Sequence, residues 1–189
     1  MSVVWKNMKW GTMTIKWEEV VRKDISHNFN FEGISMPRRS RGHMLIGQFN
    51  HTIDDKNRLS LPAKFREEMG KKVVITPGLD SCLFIFTVKQ WEKISERLSV
   101  SESSMLQADN RGLNRYLLGG AVEVGVDAAG RMLLPEHLRS RAKLTNKVVF
   151  IGVRDRAELW DETAWNEYSD RVGNKADELA EKLGQAGMI

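Results

Sequence analysis

One stretch of this chain is written twice. Asp54-Asp55-Lys56-Asn57-Arg58-Leu59-Ser60-Leu61-Pro62 returns as Asp127-Ala128-Ala129-Gly130-Arg131-Met132-Leu133-Leu134-Pro135, with the first Asp, the Arg, the last Leu and the Pro in the same places. Arg66 then falls on Arg139, and after a two-residue slip Lys72-Val73-Val74 falls on Lys147-Val148-Val149. Further on, Trp91 corresponds to Trp165. So many matches in a common order identify a duplicated unit. At 189 residues the chain has room for two small halves sharing one core.

Each copy reads in the same way. Gln48–Ile53 and Ala121–Val126 mix β-branched and polar residues as short strands do. A tight turn follows, closing on Asn57 in one copy and Gly130 in the other, the residues that best tolerate positive φ. Asp54 and Asp127 open the turns, where a carboxylate can accept backbone N–H groups. Second strands are predicted over Arg58–Leu61 and Arg131–Leu134, ending at Pro62 and Pro135, residues suited to a helix start. Short amphipathic helices over Ala63–Met69 and Glu136–Ala142 come next. Apolar strands then occupy Lys72–Thr76 and Lys147–Gly152, and last strands Cys82–Phe86 and Glu158–Trp160.

The predicted boundaries are an N-terminal extension over 1–43, a first unit over 44–98, a helical connector over 99–119 and a second unit over 120–189. Ser99, Ser101, Ser103 and Ser104 mark a break and a helix start in the connector, followed by Leu106, Leu113, Tyr116 and Leu117 at near-helical spacing. A long helix is expected over Glu162–Leu183, with Gly173 as its point of interruption.

Charge supports a nucleic-acid partner only weakly. The formal net charge is +4, but residues 1–43 hold eight Lys/Arg against four Asp/Glu and account for all of it. Within the rest, segments 50–75 (six against four) and 123–151 (five against three) are mildly basic, and 152–189 (five against nine) is acidic.

Other classes have less support. No apolar run approaches the roughly 20 residues that a bilayer requires, and no secretory leader is visible. The single Cys82 lies in the apolar run Cys82-Leu83-Phe84-Ile85-Phe86, as a buried structural thiol does, and its solitary state fits a reducing cytoplasm. His27, His43, His51 and His137 show no metal-ligand spacing and pair with no nucleophile. Nor is there a phosphate-cradling or dinucleotide fingerprint. The sequence therefore predicts no enzyme, metal, cofactor or small-molecule substrate.

Two readings of the Asp-x-x-x-Arg pairs stand side by side. Each can be an ion pair that pins a hairpin. Alternatively the Asp fixes the turn while the Arg leaves it, reaching phosphates or the two acceptors of guanine. Both jobs are compatible. The candidate DNA contacts are Arg58, Lys56, Arg131, Asn57, Lys64 and Arg66, with Asp54, Asp127 and Gly130 as turn-stabilising residues. Ala128 and Ala129 replace the charge that Lys56 brings to the first loop, so the halves should contribute unequally.

A duplicated strand–DxxxR–strand–Pro–helix unit resembles the MraZ family. The likeness starts at Met44-Leu45-Ile46-Gly47, passes through His51-Thr52-Ile53-Asp54 to Phe65-Arg66, and covers essentially all of 44–189. It departs at Asn57, where the family usually has Gly. The resemblance implies an α+β fold of two pseudo-repeated swapped-hairpin, AbrB-like β-barrel units with short helices and helical connectors. It implies a cytoplasmic, nucleoid-associated transcriptional regulator, a repressor of the division and cell-wall gene cluster. Its partners would be double-stranded DNA, through G-rich direct repeats upstream of its own gene, and further copies of itself in a ring. An AbrB-type adaptor or antitoxin is the rival reading.

The N-terminal extension holds Trp5, Trp10 and Trp17, half of the six tryptophans. Trp10-Gly11 and Trp17-Glu18 must be encoded by TGGG elements, whose starts are about 21 nucleotides apart, close to two turns of B-DNA. Arg38-Arg39 can be a ribosome-binding AGG-AGG ahead of Met44. The expectation is translated promoter ahead of a native start at Met44, or else a disordered basic arm.

Overall fold

Eight strands alternate with six helices among the residues that the computed structural model describes, 44–100 and 107–187. Those residues belong to one compact unit. The readings of residues 1–43, and of Ser101, Ser103 and Ser104 as a helix start, lie outside the described residues; Ser99, expected as part of the same break, lies instead inside the helix Val88–Val100, which carries on past it.

The first repeat supplies β1 (Leu45–Thr52), β2 (Arg58–Ser60), α1 (Ala63–Met69), β3 (Lys72–Pro77), β4 (Leu83–Thr87) and α2 (Val88–Val100). After α3 (Ala108–Leu117), the second supplies β5 (Val122–Gly125), β6 (Arg131–Leu133), α4 (Glu136–Arg141), β7 (Lys147–Arg154), β8 (Ala157–Asp161) and α5 (Glu162–Gly173), followed by α6 (Ala176–Gln185). Pro62 and Pro135 each precede a short helix with φ of −53° and −61°, already close to the helical value. The helix expected over Glu162–Leu183 is two helices, broken at Asn174 and Lys175 just after Gly173.

Pairing crosses between the repeats. All neighbours are antiparallel, in the order β1-β7-β8-β4-β3-β5, and β2 pairs with β6 in a separate ribbon. Exchanging the two repeats reverses this order onto itself, so a pseudo-two-fold runs between β4 and β8. The first strand of each repeat lies on the third strand of the other: Phe49 faces Phe150, and Val124 faces Val73.

This corrects the expectation of closed barrels. The two repeats share one open six-stranded sheet, whose outer strands β1 and β5 do not pair with each other. β2 and β6, three residues each, pair with one another in a separate ribbon, with a single further bridge from Met132 to Val126.

Strand alternation gives the sheet two apolar faces. One presents Val73, Ile75, Leu83, Ile85, Val148, Phe150 and Leu159 to the ribbon and to α1 and α4, which contribute Leu59, Leu61, Phe65, Met69, Met132, Leu134 and Leu138. Phe65 stands edge-on to both Phe49 and Phe150 at its centre. The opposite face is covered by α2 over β3 and β4 and by α5 over β7 and β8, with Phe86 against Trp91 and Trp160 against Trp165. The ribbon is thus an outer layer over a packed core.

Candidate nucleic-acid interface

The two turns have the same internal geometry. Asp54 Oδ1 accepts the backbone N–H groups of Lys56 and Arg58 at 2.9 and 2.8 Å, and Asp54 Oδ2 accepts Arg58 Nε at 2.8 Å. In the second turn Asp127 Oδ1 accepts from the Ala129 and Arg131 N–H groups, both at 2.9 Å, and Oδ2 accepts Arg131 Nε at 2.9 Å. The Arg58 and Arg131 backbone N–H bonds are the first cause holding the Asp54 and Asp127 carboxyls below the usual carboxylate range. Asn57 and Gly130 close the turns at φ of 57° and 77°.

Each Asp therefore both builds its turn and orients its Arg. The ion pair uses one edge of the guanidinium, at Nε. Among the described residues nothing else accepts from the Nη atoms of Arg58 or Arg131. A guanidinium carries five N–H donors, so four at each outer end remain for a ligand.

Ribbon register decides where these ends point. Arg58 lies opposite Leu133, Leu59 opposite Met132, and Ser60 opposite Arg131. Paired residues share a face and alternate along the strand. Leu59 and Met132 face inward, at 0% and 1% exposure, so Arg58, Ser60, Arg131 and Leu133 face outward together. Arg58 and Arg131 are diagonal neighbours, roughly 7–8 Å apart between their backbones. Leu133 is 58% exposed between them.

The remaining sequence candidates separate. Lys56 is exposed in the first turn beside Arg58. Lys64 is exposed on α1, its ammonium 5.8 Å from the Phe49 ring centre. Arg66 is exposed but tied down at its Nε, which donates to the Leu61 carbonyl at 2.9 Å, and its guanidinium lies where a Cβ on Gly130 would fall. Asn57 turns toward the other repeat, donating Nδ2 to Glu136 Oε2 at 2.8 Å and accepting from Arg139 Nη1.

Sequence reasoning missed Ser60, Leu133, Glu136 and Asn146. The alternation in Arg58-Leu59-Ser60-Leu61 carries a signal for Ser60. Nothing local to the sequence points to the other three. The lone thiol is buried as expected: Cys82 donates to the Leu79 carbonyl at 3.1 Å, and burial pushes its pKa up. No cluster of three or more His, Cys, Asp and Glu able to hold a metal occurs among the described residues. No helix among them is long and apolar enough to cross a membrane.

An α+β chain of two interlocked repeats, each presenting an Asp-oriented arginine on a shared outer ribbon, defines a tandem-hairpin class. The profile of the family described as "MraZ protein, putative antitoxin-like" matches residues 44–116 and again 117–184, and the chain belongs to that family. It is 47% identical over 140 residues to the transcriptional regulator MraZ of Caldanaerobacter subterraneus subsp. tengcongensis, spanning 74% of this chain and 96% of that protein. The Moorella thermoacetica protein of the same name is 43% identical over the same shares. That of Clostridium tetani is 37% identical over 77% of this chain and all of its own length. These relatives are named as regulators and not as enzymes, in keeping with the absence of catalytic motifs.

Proposed function

We propose that this chain is a sequence-specific, double-stranded-DNA-binding transcriptional regulator. The observation that carries this reading is the outward pairing of Arg58 and Arg131 on one ribbon, each held by its Asp and free at its outer end. A guanidinium oriented in this way can meet the two acceptors of guanine or a phosphate. Lys56 strengthens the first turn through phosphate attraction. Lys64 is a peripheral phosphate contact, and Arg66 acts chiefly by supporting the second turn.

The finer reading follows the family. Residues 44–98 and 120–189 are two AbrB-like swapped-hairpin units joined by the connector 99–119. The chain acts as a repressor of the division and cell-wall gene cluster, at G-rich direct repeats upstream of its own gene. Copies form a ring, so weak contacts multiply through effective concentration when repeats recur about every helical turn. Such a protein works in the cytoplasm, at the nucleoid.

A gel-shift titration with the duplex that encodes residues 1–43 tests this reading. Wild type binds in a salt-dependent way. Arg58→Ala weakens binding and lowers the salt slope by about one; unchanged binding removes Arg58 from the mechanism. Exposed Leu133 amid the polar face, with the antitoxin-like description of the family, favours the adaptor as second reading. Absence of duplex binding by wild type selects it.

A further inference from the structure

Gly130 and Asn57 occupy equivalent places, yet the fold holds their turns by different means. The second turn is gripped by packing. Arg66 lies against Gly130, and the Lys71 carbonyl accepts the Val126 N–H at 2.9 Å. In the first turn the equivalent backbone bond runs from the Ile53 N–H to the Asn146 carbonyl, also at 2.9 Å. Here, however, the side chain of Asn57 fills the place that a bare Gly leaves open.

Both ends of its amide are used. Nδ2 donates to Glu136, whose other oxygen accepts from Ser140, and Oδ1 accepts from Arg139. Arg139 also donates Nη2 to Asn146 Oδ1 at 2.9 Å and Nε to the Leu144 carbonyl at 3.3 Å. Arg139 and Asn146 thus hold the turn from both sides, through Asn57 at its close and Ile53 at its entry. Only one amide orientation satisfies an acidic acceptor and a cationic donor together. The backbone adds a reciprocal tie: Leu134 N–H donates to the Asn57 carbonyl, and Leu61 N–H to that of Gly130.

We propose that Asn57 is a positioning residue for DNA recognition and makes no DNA contact: its amide locks the Arg58 turn to α4 of the other repeat, so that Arg58 and Arg131 meet DNA as one rigid pair. This rests on the DNA-binding reading above. An Arg58 turn free to swing would have to be ordered on binding, which costs affinity.

The test is a titration of wild type, Asn57→Gly, Arg139→Gln, Arg58→Ala and the Arg58→Ala/Asn57→Gly double variant against the duplex encoding residues 1–43. Glycine keeps the positive φ, and a thermal melt of each variant confirms that it is folded. Asn57→Gly should weaken binding by about three- to tenfold, the range expected for lost hydrogen bonds. Its salt slope should match wild type, since no charge is lost. Arg139→Gln should weaken binding similarly. The double variant should lose at most a small further factor beyond Arg58→Ala alone, because only the Lys56 phosphate contact is then left on the turn to position. Independent, multiplying losses mean that Asn57 touches DNA itself and overturn the proposal, as does unchanged affinity in Asn57→Gly. Failure of wild type to bind, or indifference to Arg58→Ala, overturns instead the reading on which it rests.

Discussion

At the scale of single residues, Gly130 is constrained twice, by its backbone and by a neighbouring side chain. A Cβ there would fall 2.4 Å from Arg66 Nε, and its φ of 77° is strained for any residue with a side chain. Gly130→Ala should therefore destabilise the protein by about 1–3 kcal/mol, read from urea unfolding. A variant as stable as wild type would show that Arg66 does not grip this turn. The same crowding explains why Asn serves at position 57 and not at 130: in the first turn an amide has partners to meet, and in the second a guanidinium already fills the space. Arg58 and Arg131 differ in their neighbours, Lys56 against Ala129. Arg58→Ala should accordingly cost more DNA affinity than Arg131→Ala in parallel shift assays, and the reverse order would place the main contact in the second turn.

Among elements, the β2–β6 ribbon connects core to interface. Its inner residues Leu59 and Met132 are buried to 0% and 1% exposure, while its outer face carries both arginines. Leu59→Ala should cost about 2–5 kcal/mol of stability, as buried large-to-small changes do. Leu133→Glu, on the exposed outer face, should leave the urea midpoint nearly unchanged yet abolish most duplex binding, by setting a negative charge between the arginines. Intact binding by a folded Leu133→Glu protein would move the interface off the ribbon. The elements themselves were largely legible. The Ala63–Met69 helix follows from Pro62 and from the spacing of Phe65 and Met69, and its bounds coincide with those observed. The strands were placed within a few residues, because alternation and turn chemistry are local signals. The barrel was not legible correctly: whether hairpins close on themselves or open into a shared sheet depends on pairings that no local pattern encodes.

For the whole molecule, strand exchange means that neither repeat holds its own sheet together. β1 depends on β7, β5 on β3 and β2 on β6. Residues 44–116 expressed alone should be unfolded or should dimerise by exchanging first strands, judged by circular dichroism and light scattering. A folded monomer would contradict this architecture. Stability should also fall in two steps on acidification. Burial, and then the charge of Arg66, lowers the pKa of His51 in the fold. The unfolded chain therefore binds the proton first, and stability declines as pH falls below about 6.5. Asp54, Asp127 and Asp161 have depressed folded values; for Asp161 the cost of burial is outweighed by hydrogen bonds from Thr145 and from the start of α5. Their contribution is present above the usual carboxylate range and is lost as pH falls from that range down through the depressed folded values. Urea midpoints at pH 7.5 and 5.5 isolate the first step, which His51→Gln should flatten.

The duplication, the Asp-built turns and the arginines that leave them can be read from the residues alone, because a turn needs only residues a few positions apart. The exchange of first strands, the shared outward face of Arg58 and Arg131, and the tie from Asn57 to Glu136 and Arg139 arise from contacts far apart in the chain. Two repeats built on one pattern offer the same strand order within a copy as between copies, so local signals are degenerate. What breaks that degeneracy is the single core that Leu59, Phe65, Met132 and Phe150 can bury only together.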